Sequence, residues 1–375
     1  MSRTPLPLLR LEGTPDEVGE AHGAEASALI AHNLDVYFKR FAGEGELPRA
    51  EVLDRAQRYW GAIQTESPEF AAMIQGIARG AGQPLPEIVA INLRFEFLYG
   101  EFSRIGRAEL GHVPTPADEC TAFAVLPEAS GDGHLRVGQN WDWIPEVAGV
   151  LQHVTRPDGL RALCFTEAGV AGGKIGMNSA GVGLVINGLL SNRDDWSRLG
   201  RPFHARTWDV LCSRTLADAA RAVTEGVHSC SANFLIAQAG PPGEGTAVDI
   251  EAAPGACCHL EPRSGILVHA NHFVEPDRLG LWQPIVEEKR STYHRCRRME
   301  ALLSQAAGAA ATDALMTILR DHAERPESIC RHPNPALPED ERYETVVSVI
   351  MDLHAGRMHA AAGPPCGAVY HEYRL

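Results

Sequence analysis

Apolar positions follow two different periods along the chain, and the change between them falls near residue 120. From residue 14 to residue 99 the apolar side chains recur at helical spacing. After residue 120 short β-prone runs dominate, separated by residues that favour turns. The pattern therefore predicts a helical first third followed by a strand-rich remainder.

The helical third has a well-marked beginning. Leu6 to Leu11 is predicted to be a strand, and Thr14-Pro15-Asp16-Glu17 then combines an N-cap, a proline at the first helical position and a capping box. The helix that follows is expected to reach about Phe41. Three further helices are predicted, the first from near Pro48, the second from Ser67-Pro68 to Gly80 or Gly82, and the third, well buried, from Pro86 to Tyr99.

A hairpin is predicted directly after Cys120. Its strands are Thr121 to Leu126 and His134 to Gly138, joined by Gly-containing turn residues. Such a pair would return Asn140 and Asp142 to the neighbourhood of Cys120. A thiol, an amide and a carboxylate at one end of a sheet could serve as nucleophile, polariser and charge partner. The alternative is that Cys120 is a small buried hydrophobe, as most reduced cysteines are.

The remaining patterns predict further strands and two pairs of helices. Strands are expected at 150–155, 160–166, 174–177, 182–187, 231–239, 246–252, 257–260, 266–273, 345–352, 357–362 and 368–373, and helices at 202–212, 215–223, 291–305 and 312–323. On the strand that ends at Phe273, His269 and His272 would point to opposite faces and could not share an ion. No metal site is expected.

Charge and cysteine content narrow the function classes. The 375 residues carry a formal net charge of -14, which argues against a nucleic-acid partner and against an anionic membrane surface. No apolar run has the length of a membrane span or a signal sequence, so a cytoplasmic location is expected. The nine cysteines show no C-x-x-C pair and no zinc-finger spacing, and we interpret them as reduced thiols, mostly buried.

Several motifs together resemble one enzyme family. Glu119-Cys120-Thr121, followed by Gly138-Gln139-Asn140-Trp141-Asp142, is similar to the start of the mature catalytic subunit in the acyl-coenzyme A:6-aminopenicillanic acid acyltransferase family, which is peptidase C45-like. That family belongs to the N-terminal nucleophile (Ntn) hydrolases, with choloylglycine hydrolases and β-alanyl amine hydrolases as relatives. Further similar pieces follow in order at 176–183, 291–298, 345–353 and 363–366.

The resemblance implies a fold and a processing event. The fold would be α+β, a four-layer αββα sandwich with a helical N-terminal pro-segment. Cleavage between Glu119 and Cys120 would leave residues 1–119 as a helical segment, packed as one unit with the catalytic residues 120–375. The alternative is an ordinary helical subdomain, and periodicity predicts the same packing for both.

The resemblance also implies roles for individual residues. Cys120 would be the nucleophile, Asp142 would orient its freed α-amino group, and Asn271 would hold the oxyanion. Arg295 matches an active-site arginine, although Arg295-x-x-Arg298 alone is typical of a solvated basic face. Asn187 matches a substrate-side asparagine, although a strand-ending Asn is an equally good interpretation. The substrate-binding set is predicted to be Asn187, Asn140, Gln139 and Trp141.

The implied substrate is a small acyl amide or thioester, with no cofactor. Hydrolysis through an acyl-enzyme is the main prediction, and transfer of the acyl group from coenzyme A to an amine is the alternative. Glu119 departs from the glycine of the fungal acyltransferase and could slow self-cleavage. Gln139 departs from the arginine of the choloylglycine branch, which disfavours a bile-salt substrate. Two other classes stay open, a papain-like Cys-His enzyme and an uncleaved binding homologue.

Overall fold

The change of apolar period corresponds to a change from helices to sheets in the computed structural model, which describes residues 4–108, 120–283, 291–339 and 342–375. The helices are α1 Pro15–Glu25, α2 Ser27–Gly43, α3 Arg49–Glu66, α4 Pro68–Ala81, α5 Leu85–Asn92, α6 Arg94–Ala108, α7 Pro127–Ser130, α8 Phe203–Leu211, α9 Leu216–Thr224, α10 Pro276–Leu279, α11 Ser291–Gln305 and α12 Thr312–Leu319. The strands are β1 Leu8–Glu12, β2 Thr121–Val125, β3 Arg136–Trp143, β4 Gly149–Thr155, β5 Arg161–Glu167, β6 Ile175–Asn178, β7 Val182–Gly188, β8 Ala232–Ala239, β9 Gly245–Ala253, β10 Ala256–Leu260, β11 Ile266–His269, β12 Glu344–Asp352, β13 Arg357–Ala362 and β14 His371–Arg374.

The strands form two sheets. The larger has eight strands in the order β1-β4-β5-β6-β7-β8-β9-β10, and the smaller has six in the order β11-β2-β3-β12-β13-β14. Neighbours within the sheets run antiparallel except β1 and β4, which are parallel with Leu8 opposite Leu151. The N-terminal segment therefore supplies one edge of the larger sheet.

The two sheets face each other and each carries helices on its other side. Strands β2 and β3 pack on β7, and β11 packs on β9. Helices α8 and α9 cover the larger sheet, while α11 and α12 cover the smaller. The order helix, sheet, sheet, helix confirms the predicted α+β, four-layer αββα architecture.

Glycines bring α1 and α4 unusually close together. A Cβ atom on Gly76 would lie 2.3 Å from the carbonyl oxygen of Asp16, and one on Gly80 would lie 2.0 Å from that of Glu20. Any larger residue would push the two helices apart. The capping box at Thr14 and Glu17 is present as predicted.

A buried ionic cluster joins the N-terminal helices to the larger sheet. It consists of Tyr37 on α2, Arg94 on α6, Glu167 on β5 and Lys174 before β6, and we call it the Glu167 cluster. The Arg94 fork donates to both carboxylate oxygens of Glu167, at 2.8 and 2.6 Å. Lys174 and the Tyr37 hydroxyl donate to the same carboxylate. One hydrophobic core also contains residues from both parts of the chain.

Several predicted helices differ from those in the structure. The helix expected to end at Tyr99 continues to Ala108. The helix expected to reach Phe41 is interrupted at Ala26, and the one expected over 86–99 is interrupted at Leu93. Helix α12 ends at Leu319 rather than at 323. Apolar spacing continues across each break because both flanking helices pack on the same core, so periodicity did not reveal the interruptions. Across the described parts of the chain, no helix combines the length and apolar content required to cross a bilayer.

The strand predictions hold to within two residues except at three ends. The second strand of the hairpin, expected over 134–138, continues to Trp143. The strand expected to run from 266 to 273 stops at His269, and the last strand begins at His371 rather than at 368. Beyond His269 the chain leaves the sheet, so the expected opposite orientation of His269 and His272 is wrong. Their rings lie nearly parallel with centroids 6.3 Å apart.

All nine cysteines lie in the described residues as thiols, six of them buried, which confirms the expectation for the set.

Candidate active site

Cys120 lies directly before β2, fully buried between the two sheets. Strands β2 and β3 pair with Thr121 opposite Asn140, so Asp142 falls beside Cys120. The Cys120 Sγ atom lies 3.9 Å from the main-chain oxygen of Asp142. The hairpin thus forms and returns Asp142 to Cys120, as the turn residues predict.

Arg295 on α11 holds the main chain of Cys120. Its Nη1 atom donates to the Cys120 carbonyl oxygen at 2.6 Å and to Thr121 Oγ1 at 2.8 Å. Its Nη2 atom donates to Asn271 Oδ1 at 3.1 Å. The guanidinium is fully buried, which excludes the solvated basic face considered for it. Its planar fork fixes the nucleophile and an amide together.

Asn271 is oriented by its neighbours on both sides. Because Arg295 can only donate, the atom it reaches must be the amide oxygen of Asn271, and the NH₂ group points the other way. That NH₂ donates to the Gly188 carbonyl at 3.1 Å, and the Asn271 main-chain N–H donates to Thr292 Oγ1 at 2.7 Å. A fixed amide donor at this place fits the predicted oxyanion role.

Asn187 reaches Cys120 from the opposite sheet. Its Nδ2 atom donates to the Cys120 carbonyl oxygen at 3.2 Å. Its own Oδ1 accepts from Asn233 at 3.3 Å, and Asn233 donates to Asp249 Oδ1 at 2.6 Å. The carboxylate therefore sets the Asn233 amide, which in turn directs the NH₂ group of Asn187 toward Cys120.

Thr345 orients the carboxylate of Asp142. The two residues are opposite each other on β12 and β3, and Thr345 Oγ1 donates to Asp142 Oδ1 at 2.7 Å. The register shifts between Thr345 and Val347, which is the pattern of a β-bulge. Bulges re-aim neighbouring side chains and are common beside active sites.

Burial sets the electrostatics around Cys120. Burial lowers the pKa of Arg295, while the nearby Asp142 and Cys120 oppose that shift. Behind Asn187, burial raises the pKa of Asp249 to about 6. Burial would lower the pKa of His269, but Asp249 and Glu251 outweigh it and raise that pKa. Asp249 and His269 consequently keep their protons to a higher pH than the same side chains would in water.

The other predicted substrate-binding residues have protein partners. Gln139 exchanges two hydrogen bonds with the Ile186 main chain, at 3.1 and 2.8 Å, and so fixes the strand that carries Asn187. Asn140 Nδ2 donates to the Leu319 and Ile329 carbonyls at 2.9 and 2.8 Å. Trp141 is buried, with Lys174 Nζ 3.1 Å from its ring centroid. Their contact with substrate stays a prediction.

The structure adds residues that the sequence analysis did not single out. These are Thr121, Asn233, Asp249, Thr292 and Thr345. A signal for two of them exists in the sequence, since Asn233 and Asp249 are polar residues with apolar neighbours on both sides in β-prone runs. Buried polar residues in such strands are hydrogen-bonded and often functional. Glu119, the residue before the predicted cleavage, lies outside the described residues.

A known protein family matches the part of the chain that carries most of the site residues. The model of the family described as "Acyl-coenzyme A:6-aminopenicillanic acid acyl-transferase" matches residues 129–366, more than half of the chain. The chain belongs to this family. The matched range includes Asp142, Asn187, Asn271 and Arg295, and it begins after Cys120.

One sequence relative and two solved structures are similar to most of the chain. The acyl-coenzyme A:6-aminopenicillanic-acid-acyltransferase 40 kDa form of Emericella nidulans is 29% identical over 355 residues, covering 92% of this chain and 89% of the relative. The conjugated bile acid hydrolase of Clostridium perfringens, solved as a mutant, is 11% identical with a TM-score of 0.41 and covers 68% of this chain and 97% of its own. The penicillin V acylase of Agrobacterium tumefaciens is 12% identical with a TM-score of 0.43, covering 65% and 83%. Because both TM-scores are below 0.5, the fold is assigned from the sheet topology alone.

Proposed function

We propose that this protein is an autoprocessed N-terminal cysteine amidohydrolase that cleaves a small non-peptidic amide through an acyl-enzyme. The observation that carries the proposal is that donors from two layers meet on the Cys120 main chain. Arg295 and Asn187 both donate to the Cys120 carbonyl oxygen, at 2.6 and 3.2 Å. A cysteine that only fills space does not require a buried guanidinium on its backbone.

The first step would be cleavage of the precursor. The Cys120 thiol attacks the carbonyl carbon of Glu119, the acyl group moves from nitrogen to sulfur, and water hydrolyses the thioester. The products are a new carboxylate at Glu119 and a new α-amino group at Cys120. The carbonyl of Cys120 lies on the other side of the broken bond, so the hydrogen bonds from Arg295 and Asn187 would persist in the mature enzyme.

The freed amino group would act as the base. A terminal amine has a reference pKa of about 7.7–8.0, so near neutral pH it can accept the proton of its own thiol. Asp142, held by Thr345, would orient the ammonium form. The NH₂ groups of Asn271 and Asn187 would donate to the oxyanion that forms on the attacked carbonyl.

Turnover would then consist of two acyl transfers. The thiolate attacks the substrate amide, the amine leaves with the proton held by the α-amino group, and water releases the acid from sulfur. Transfer of the acyl group to an amine instead of water is the second candidate. The 29% identity to the acyltransferase of Emericella nidulans supports acyl transfer as this second candidate.

The N-terminal segment, residues 1–119, would stay bound to residues 120–375 after cleavage. Strand β1 pairs with β4, and the Arg94 and Tyr37 side chains donate to Glu167. Separating the pieces would expose this ionic cluster and a shared core, which is costly. The predicted non-covalent partner is therefore the chain's own N-terminal part.

An acyl-trapping experiment tests the proposal. A panel of N-acyl amines and acyl thioesters is mixed with enzyme, quenched in acid, and measured by intact mass. We expect an acyl adduct on the fragment that begins at Cys120, absent from Cys120→Ala and kept by Cys164→Ala, which removes another fully buried thiol. An adduct in Cys120→Ala would contradict the proposal. Adding a competing amine separates the two candidates, because an unchanged product distribution rejects acyl transfer.

A further inference from the structure

Four potential metal ligands meet outside the Cys120 site. His322, Cys330 and His332 lie between α12 and β12, and Cys366 lies between β13 and β14. One ligand atom from each residue lies within 4.8 Å of all the others. No metal site was expected from the sequence, because the nine cysteines show no zinc-finger spacing and because His269 and His272 were expected to point apart.

The distances from His332 Nε2 to the other three ligand atoms are compatible with a tetrahedral ion. His332 Nε2 lies 3.1 Å from His322 Nε2, 3.6 Å from Cys330 Sγ and 3.4 Å from Cys366 Sγ. Zinc–nitrogen bonds of about 2.0–2.1 Å and zinc–sulfur bonds of about 2.3 Å, at tetrahedral angles, separate ligand atoms by roughly 3.3–3.8 Å. The observed distances fall in or close to that range.

Hydrogen bonding does not account for the arrangement. A neutral imidazole nitrogen either donates one proton or accepts one, in the plane of the ring. His332 Nε2 has three heteroatoms around it, from His322, Cys330 and Cys366. It can serve only one of them by hydrogen bonding. A shared central ion would serve all three contacts at once.

Main-chain hydrogen bonds hold the ligand loop, residues 320–332, in place independently of an ion. The Cys330 N–H donates to the Asp321 carbonyl at 3.0 Å, and the His332 N–H donates to the Pro326 carbonyl at 3.0 Å. Arg320 Nε donates to the Pro365 carbonyl at 3.0 Å, which links this loop to the segment that carries Cys366. The ligands are therefore pre-positioned from both segments.

We propose that His322, Cys330, His332 and Cys366 bind one Zn²⁺ ion as a structural site that ties the 320–332 segment to the 363–367 turn. Two thiolates and two imidazoles are a donor set that zinc accepts and that magnesium and calcium do not. Binding exchanges the two thiol protons for the divalent ion, so the site is neutral overall. Four protein ligands leave no open position for a substrate or a water.

The site stands behind the Asp142 carboxylate. Asn140 binds the Leu319 carbonyl directly before the 320–332 segment and the Ile329 carbonyl within it. The Arg331 N–H donates to Thr345 Oγ1 at 3.1 Å, and Thr345 donates to Asp142. The ion would therefore brace the segment that positions Thr345. The binding claim itself does not depend on Cys120 chemistry.

Metal content and cobalt spectroscopy test the site. The full chain is purified without an affinity tag after growth with zinc, and its zinc is measured by mass spectrometry. His322→Ala and Cys366→Ser change exposed ligands and should leave the core intact, while His259→Ala and Cys257→Ser change an exposed His and Cys elsewhere as matched controls. We expect about one zinc per chain in the wild type and both controls, and a loss of most of it in both ligand variants.

Two further readouts make the result decisive. The cobalt-substituted wild type should show thiolate-to-metal charge-transfer bands that Cys366→Ser weakens. A chelator should lower Tm by about 2–5 °C in the wild type and controls but not in the ligand variants. Wild type that stays free of zinc when incubated with it, equal zinc in all variants, or a Cys330–Cys366 disulfide found by thiol counting in the freshly purified chain would each overturn the proposal.

Discussion

The Glu167 cluster and the Cys120 site are both buried, but their cations have different partners. In the Glu167 cluster, Arg94 and Lys174 both contact a carboxylate, so opposite charges compensate directly. At the Cys120 site, the hydrogen bonds described for Arg295 go to neutral acceptors, two of them on Cys120 and Thr121. The first arrangement stabilises a fold. The second holds a positive charge where a thiolate or an oxyanion would form during reaction.

The comparison is sharpened most by removing the carboxylate of the Glu167 cluster. Glu167→Gln leaves Arg94 and Lys174 buried without their anion, and we expect the free energy of unfolding to fall by about 3–5 kcal/mol. The measurement is guanidinium denaturation in the Cys120→Ala background, which is expected to stay a single chain. Turnover per folded molecule in the cleaved Glu167→Gln enzyme should remain close to wild type. A variant of unchanged stability would contradict the structural role.

The matched pair Arg295→Lys and Arg94→Lys separates the two regions by rate. Lysine keeps the charge but loses the fork that holds Cys120 and Asn271 together. We expect Arg295→Lys to lower kcat by about 10²–10³-fold, as the loss of an oxyanion donor does. Arg94→Lys should lower stability and leave kcat of the folded enzyme within a few-fold. Equal losses of kcat in both variants would contradict the different roles of the two arginines.

A pH titration examines the Glu167 side of the comparison through His204. Burial lowers the pKa of His204 to about 3, with Arg94 adding to the shift, and its Nδ1 atom lies 3.0 Å from the Asn92 carbonyl. Below the ordinary histidine pKa the unfolded chain binds a proton that the folded chain does not. The free energy of unfolding therefore decreases as the pH is lowered. Between pH 7.5 and 5.0 the wild type should lose about 2 kcal/mol more than His204→Gln. Parallel pH curves would contradict this.

The smallest expected effect concerns the residues behind Asn187. Asn233→Ala removes the donor that orients Asn187, and we expect kcat to fall about 5–10-fold with KM nearly unchanged. Gln238→Ala, on the same strand but bonded to surface loops, is the control. If both variants behave alike, Asn233 acts through general stability rather than through Asn187.

The sequence predicted those features that depend on local chemistry. The capping box at Thr14 and the hairpin after Cys120 follow from capping and turn rules, and the structure has both. The αββα layers came from family resemblance, because periodicity alone does not determine how sheets stack. The helix breaks at Ala26 and Leu93 were not predicted, since apolar spacing is continuous across them.

The site was predictable in part. Motif order located Cys120, Asp142, Asn271 and Arg295, and the structure brings them together. The supporting amide and carboxylate, Asn233 and Asp249, depend on pairing between β7, β8 and β9, which no local pattern encodes. The cluster of His322, Cys330, His332 and Cys366 escaped for the same reason, because its residues meet only after the two C-terminal loops pack.

The central claim is that Cys120 becomes the first residue of its own chain. Purified wild type and Cys120→Ala are incubated at neutral pH, then analysed by intact mass and by N-terminal sequencing. We expect two pieces from the wild type, the larger beginning Cys120-Thr121-Ala122, and a single uncut chain from Cys120→Ala. An uncut wild type that still turns over an amide, or a cut at another position, would contradict it.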